Sequence, residues 1–218
     1  MRKLLAIAAL GLLAVAPLAG QDKQADPDMA VKGGGALPAG WMARVDGSGS
    51  LDKVKFETMP PGWHITSGPA AIYYQTADTT SRNAHLLGLF HLFPVKGSMH
   101  AEAYGLFLGG SDLQGPNQAY TYFLVRGDGK FLIKRRAGDK TTKVVDWTVN
   151  PAVNAADSAG YSTNELTVLI KDGKVSFMVN GKEVHSAPAT DLDTKGVVGT
   201  RINHNLSVHV EKLQVHPI

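Results

Sequence analysis

The sequence predicts an all-β protein in which two antiparallel sheets pack face to face. Three observations carry that prediction. From Trp41 onward apolar residues recur with period two rather than 3.6. Asp128-Gly129, Asp172-Gly173 and Asn180-Gly181 stand where tight hairpin turns are needed. The chain also contains 24 Gly and 11 Pro without a three-residue period, which excludes a collagen-like chain and supplies many turns.

At the N-terminus, Arg2-Lys3 precedes an apolar run, and Ala16-Pro17-Leu18-Ala19-Gly20 places small residues where a signal peptidase cuts. Residues 1–20 therefore read as a secretory signal peptide. The apolar run is about 12 residues, short of the roughly 18 to 20 that cross a bilayer. Position 21 is Gln where lipidation requires Cys. The expected product is exported, periplasmic or extracellular, unlipidated, and without a membrane span once the signal is removed. Residues 21–39 are polar and rich in Gly and Pro, which predicts a flexible leader. Residues 40–218 form the domain.

Within that domain, Leu166, Val168 and Ile170 share one face of a strand at 164–171. Val175, Phe177 and Val179 do the same at 174–180, and Asp172-Gly173 joins the two. Gly129 joins 120–126 to 130–136, and Asn180-Gly181 turns the chain into 182–186, giving an antiparallel meander. Further strands are expected at 54–58, 62–66, 70–74, 84–93, 102–108, 142–148 and 196–203. Near the C-terminus Leu206, Val208 and Val210 alternate in one register while Leu213 and Val215 continue in the other. That slip predicts a β-bulge at Glu211-Lys212.

The formal net charge is +3, from 22 Lys and Arg against 19 Asp and Glu. Without Arg2 and Lys3 the two signs nearly balance, so no nucleic-acid partner is expected. Cys is absent, so the exported domain relies on its core rather than on disulfides.

Three segments carry a resemblance. They are EAYGLFLGGSDLQGPNQAYTYFLVRGDGKFLIKRRAGD (102–139), NELTVLIKDGKVSFMVNGKEV (164–184) and GVVGTRINHNLSVHVEKLQV (196–215). A Gly-aromatic-apolar strand precedes a tyrosine-bearing strand, and a late Asn-Gly hairpin leads to a Gly-x-x-Gly strand and a final strand. In this the chain resembles the concanavalin A-like lectin/glucanase superfamily, including its LamG-like members. More loosely it is similar to bacterial exported domains grouped with 3-keto-disaccharide hydrolases, though it lacks their opening tryptophan-rich signature. The resemblance implies a jelly-roll sandwich and a carbohydrate ligand; its motifs report fold far more than activity.

Glycoside hydrolysis ordinarily needs two carboxylates, about 5 to 5.5 Å apart for retention and roughly 6.5 to 9.5 Å apart for inversion. Glucanases of the superfamily meet this with E-x-D-x-x-E. Here the residues two beyond the five Glu are Met59, Tyr104, Thr167, His185 and Leu213, so that motif is absent. G-x-S-x-G, H-E-x-x-H and phosphate-loop patterns are absent too. Glu102 is the candidate catalytic carboxylate if the protein is a hydrolase or lyase, paired with a remote carboxylate or His such as Asp112, His85 or His91. His85 and His91 share a strand face, but six residues at about 3.3 Å each set them nearly 20 Å apart, too far to hold one ion.

A sheet face is the most informative constellation. With Phe123 and Val125 toward the core, Tyr120, Tyr122 and Arg126 face outward. Neighbouring strands add Glu102 and Tyr104 on one side and Lys134 and Arg136 on the other. Aromatic rings offer apolar faces to sugar C–H groups, and Arg, Lys and Glu pair with hydroxyls. The competing reading is an ordinary outer strand face, since Tyr favours strands anyway. Trp63, after a Pro-Pro-Gly turn, is expected either at a groove rim or in packing. The loop 109–117 holds Asp112 and Asn117, oxygen donors for a structural Ca²⁺, or is simply a turn-rich connection; no other cofactor is expected. The favoured function is noncatalytic, lectin-like binding of a glycan on the concave sheet. The alternatives are a glycosidase-like or lyase-like enzyme and a cell-envelope interaction module.

Overall fold

Fourteen strands fall into two seven-stranded antiparallel sheets in a computed structural model that describes residues 28–96 and 100–218. The expected signal peptide, residues 1–20, and leader residues 21–27 lie outside the described residues. In chain order the strands are β1 (Met42–Val45), β2 (Val54–Thr58), β3 (Trp63–Ser67), β4 (Ala71–Thr80), β5 (Ala84–Phe93), β6 (Ala103–Ser111) and β7 (Ala119–Arg126). They continue with β8 (Lys130–Ala137), β9 (Lys140–Val149), β10 (Ser162–Lys171), β11 (Lys174–Val179), β12 (Lys182–Pro188), β13 (Gly196–Ile202) and β14 (Leu206–Pro217). The first sheet runs β1-β4-β13-β6-β7-β8-β9 and the second β12-β11-β10-β5-β14-β3-β2. Among the described residues no helix is long and apolar enough to cross a membrane.

Period-two alternation explains the layering. Phe123 and Val125 of the first sheet and Phe90, Val168 and Phe177 of the second are fully buried in one core between the sheets. Phe123 meets Phe177 at 5.3 Å between ring centroids, edge to face, across the two layers. The hairpin turns use the expected residues: Asp172 and Gly173 have φ of 50° and 81°, and Asn180 and Gly181 49° and 76°. The bulge expected at Glu211-Lys212 is present, because the β14–β5 register steps between Val210 and Lys212.

The second half of the leader differs from a free segment. Gly33 N–H donates to Asp52 O at 3.1 Å, Phe56 N–H to Gly34 O at 2.8 Å, and Met29 N–H to Asn205 Oδ1 at 2.6 Å. The edge strand β2 has backbone groups free to pair with an added segment. A Cβ on Gly35 would lie 1.9 Å from Phe56 O, so the Gly-rich composition here serves close approach.

Candidate functional site

On β7, Tyr120, Tyr122 and Leu124 point away from the opposing sheet and join an apolar cluster with Tyr74, Phe107 and Leu132. Cross-strand pairing sets the rest of this outer face: Arg136 stands opposite Tyr120, Lys134 opposite Tyr122 and Leu132 opposite Leu124 on β8, with Phe107 of β6 beside Tyr122. Residues paired across strands share a face. Together with Glu102, Arg126, Trp147 and Arg201, the exposed parts of this face line a groove of about 370 Å³.

Cations stacked on rings shape that groove. The Arg126 guanidinium lies 4.4 Å from the Trp147 ring centroid, Arg201 lies 5.3 Å over Tyr122, and Arg136 lies 5.9 Å over Tyr120. Asp46, just after β1, accepts from Arg201 Nη2 at 2.6 Å and from Arg136 Nη2 at 3.2 Å. Burial works to raise the Asp46 pKa, and the Arg201, Arg136 and Arg44 charges outweigh it, leaving that carboxyl below its ordinary value. Arg201 Nη1 donates to Tyr120 Oη at 3.1 Å. Arg126 makes a two-pronged contact with Asp128, both bonds 2.7 Å. Burial raises the Tyr122 pKa, with Arg201 acting against it; the phenol is therefore protonated at neutral pH and able to donate.

The structure brings Tyr122, Arg126, Lys134, Arg136 and Glu102 together at the groove, with Tyr120 fully buried beneath the arginines. Glu102 precedes β6 and pairs with His204 Nε2 at 3.0 Å, not with Asp112, His85 or His91. Tyr104 does not join them. It pairs with Val125, a core residue, and is itself fully buried, contacting the ring of Phe90 and accepting from Asn164 Nδ2 at 3.2 Å. Trp63 is likewise in the core, with Trp41 at 4.8 Å and Tyr73 at 5.8 Å, because it occupies an inward position on β3 of the second sheet. Asp112 Oδ2 accepts from the Asn117 N–H at 2.9 Å, so in this structure the pair closes its own loop. That loop covers one end of the apolar face: Arg44 Nη1 donates to Leu113 O at 2.9 Å and Gln114 Nε2 to Tyr74 Oη at 2.8 Å.

Sequence reading missed Arg201, Asn203 and Asp46, and weighed Trp147 between sugar stacking and packing without placing it on this face. For Trp147 the signal lies in the β8–β9 register, where Ile133 pairs with Val145 and Phe131 with Thr148, so Asp146 and Trp147 together oppose Leu132. This bulge turns the indole toward the groove.

No protein-family model and no curated protein matches the chain. Solved structures do. The carbohydrate-binding module CBM66 from Bacillus subtilis aligns with a TM-score of 0.58 at 8% identity, covering 81% of this chain and 95% of that one. A Bacteroides ovatus GH16 protein, solved in complex with a G4G4G3G product, aligns at 0.55 and 6% identity over 81% and 94%. The Emp46p carbohydrate recognition domain, potassium-bound form, aligns at 0.55 and 12% identity over 81% and 88%. The fold is the concanavalin A-like jelly roll. Identities this low speak for architecture alone, and within that architecture the outer β7 face is where aromatic and cationic side chains converge.

Proposed function

We propose that this protein is an exported, noncatalytic glycan-binding protein whose ligand lies in the groove on the β7 face. One observation carries the reading: the half-buried Trp147 ring stands in the same groove as Arg126, Lys134 and Arg136, above a largely buried floor that includes Tyr122 and Arg201, so apolar surface for sugar C–H groups adjoins donors for hydroxyls. The carbohydrate-binding proteins among the structural neighbours support it. Arg201 and Arg136 are tied to Asp46, Arg126 to Asp128, and Glu102 to His204. The four groove cations thus face three carboxylates in or beside the groove, a near balance that suits a hydroxyl-rich neutral glycan better than a polyanion.

Glu102 favours a second reading. It lines the groove, and His204, which holds it, also reaches Asp28 at 3.5 Å, a carboxylate–imidazole pair of the kind used for proton transfer. Native mass spectrometry of the chain from Gln21 onward, incubated with a broad panel of oligosaccharides, separates the two readings. An intact glycan adduct with no shortened product is the expected result. Product masses that disappear in Glu102→Gln would establish an enzyme instead. Neither adduct nor product across the panel would discard both readings in favour of a cell-envelope interaction module.

A further inference from the structure

The outer face of the second sheet carries a different chemistry. Glu57 on β2, His64 on β3, His209 on β14, His91 on β5 and Thr163 on β10 are successive cross-strand partners, one row across five strands. The β14 bulge adds Glu211 to this row. Its Oε2 lies 2.6 Å from His91 Nε2, and one donor atom from each of His91, His209 and Glu211 falls within 4.8 Å of the others. All three line a cavity of about 590 Å³ into which Asp157 and Tyr161 also face.

We propose that His91, His209 and Glu211 bind a divalent first-row transition ion, with Zn²⁺ the ion their donors suit. Two imidazole nitrogens and one carboxylate oxygen form a mixed N/O set characteristic of zinc, whereas Ca²⁺ takes six to eight oxygens. His91 is already oriented for the role. Its Nδ1 lies 2.9 Å from Thr163 Oγ1, an outer partner that fixes the ring and leaves Nε2 aimed at Glu211. The ion takes the place of the hydrogen between His91 Nε2 and Glu211 Oε2, and the bound ring is neutral, its one N–H carried at Nδ1 toward Thr163 Oγ1. Metal–ligand bonds of about 2.0 to 2.2 Å set tetrahedral donors roughly 3.3 Å apart. The His91–Glu211 contact must therefore open slightly while separations to the buried His209, up to 4.8 Å, close, and the partly exposed His91 and Glu211 side chains have room to make both adjustments. Three protein donors leave the fourth position toward the cavity, where a water or an anionic group completes the sphere. The site lies on the opposite sheet from the groove and does not depend on the glycan reading.

The row was not apparent from His85 and His91, which share β5 but lie too far apart. His91 finds its partner on β14, 118 positions further along the sequence. The same two strands provide an internal control, since His216 pairs with His85 further along the ladder.

The test is titration of the purified, chelator-treated protein with Zn²⁺ alone, read by calorimetry and by the shift in melting temperature. One ion per chain with a micromolar or tighter Kd is expected, with no comparable response to Ca²⁺. His209→Ala and Glu211→Gln should each weaken binding at least tenfold, while His85→Ala leaves it unchanged. Glu211 is partly exposed, so Glu211→Gln reports on binding even if His209→Ala unfolds. Absence of saturable Zn²⁺ binding at 100-fold excess would overturn the site. Binding that survives Glu211→Gln but is lost in His85→Ala would do the same.

Discussion

Single side chains on the groove divide by how much of the fold they also hold. Tyr122 is 5% exposed and packed in the outer apolar cluster. Tyr122→Ala should therefore cost roughly 3 kcal/mol of stability as a large-to-small change and confuse any binding measurement. Trp147 is half-buried at the edge of that cluster, its ring under the Arg126 guanidinium. Trp147→Ala is expected to weaken glycan binding about tenfold, or about 1.4 kcal/mol, with little change in melting temperature. Titration beside a thermal melt separates the two effects; unchanged affinity would remove the indole from the ligand's contacts. Tyr120, Tyr122, Arg126, Lys134 and Arg136 were legible in the sequence because one hairpin fixes them all by alternation. Arg201 and Asp46 were not, since they stand 155 residues apart and meet only when β1 and β13 flank β4 in the completed sheet.

At the level of elements, register decides what alternation alone leaves open. Every strand from β2 to β14 overlaps an expected segment, and the β14 bulge was readable as a slip in the apolar phase. Which face Tyr104 takes was not readable, because it depends on pairing with Val125 rather than with Leu124, a one-residue difference that reverses the strand. Bulges do the most to place chemistry here: the one in β9 directs Trp147 to the groove, and the one in β14 sets Glu211 beside His91. Glycines mark where the sheets tolerate no side chain. Gly173 sits in a hairpin turn with φ of 81° and open space around it, whereas a Cβ on Gly105 would lie 2.3 Å from Phe123 O. Gly173→Ala is thus expected to cost about 1 kcal/mol, and Gly105→Ala about 3 kcal/mol, with the larger loss felt at the groove because Gly105 pairs with Arg201. Urea unfolding of both variants checks the order, and equal losses would show that β6 and β7 approach less closely than described.

For the molecule as a whole, the charges that burial holds out of balance set how stability depends on pH. Burial lowers the His64 pKa below its ordinary 6.5, with Glu57 opposing and His209 and Lys55 reinforcing the shift. Burial lowers that of His185 as well, against Glu183. These groups stay neutral in the folded chain at pH values where the unfolded chain has taken up protons, so stability should fall as pH drops below about 6.5. Asp46 acts lower on the scale. Its arginines hold its carboxyl below the ordinary 3.8, so its contribution is complete above that value and is lost as pH falls through the folded-state pKa. Chemical denaturation between pH 7.5 and 2.5 should therefore show two declines, one beginning near pH 6.5 and one below about 4. Asp46→Asn should shrink the second, to which Asp128, held low by Arg126 and Lys130, also contributes, while leaving the first, although it lowers stability throughout by leaving Arg201 buried with one fewer partner. A profile flat from pH 7 to 5 would mean that the histidines of the second sheet are solvated in the folded protein, which is incompatible with the packed row of His64 and His209 on its outer face.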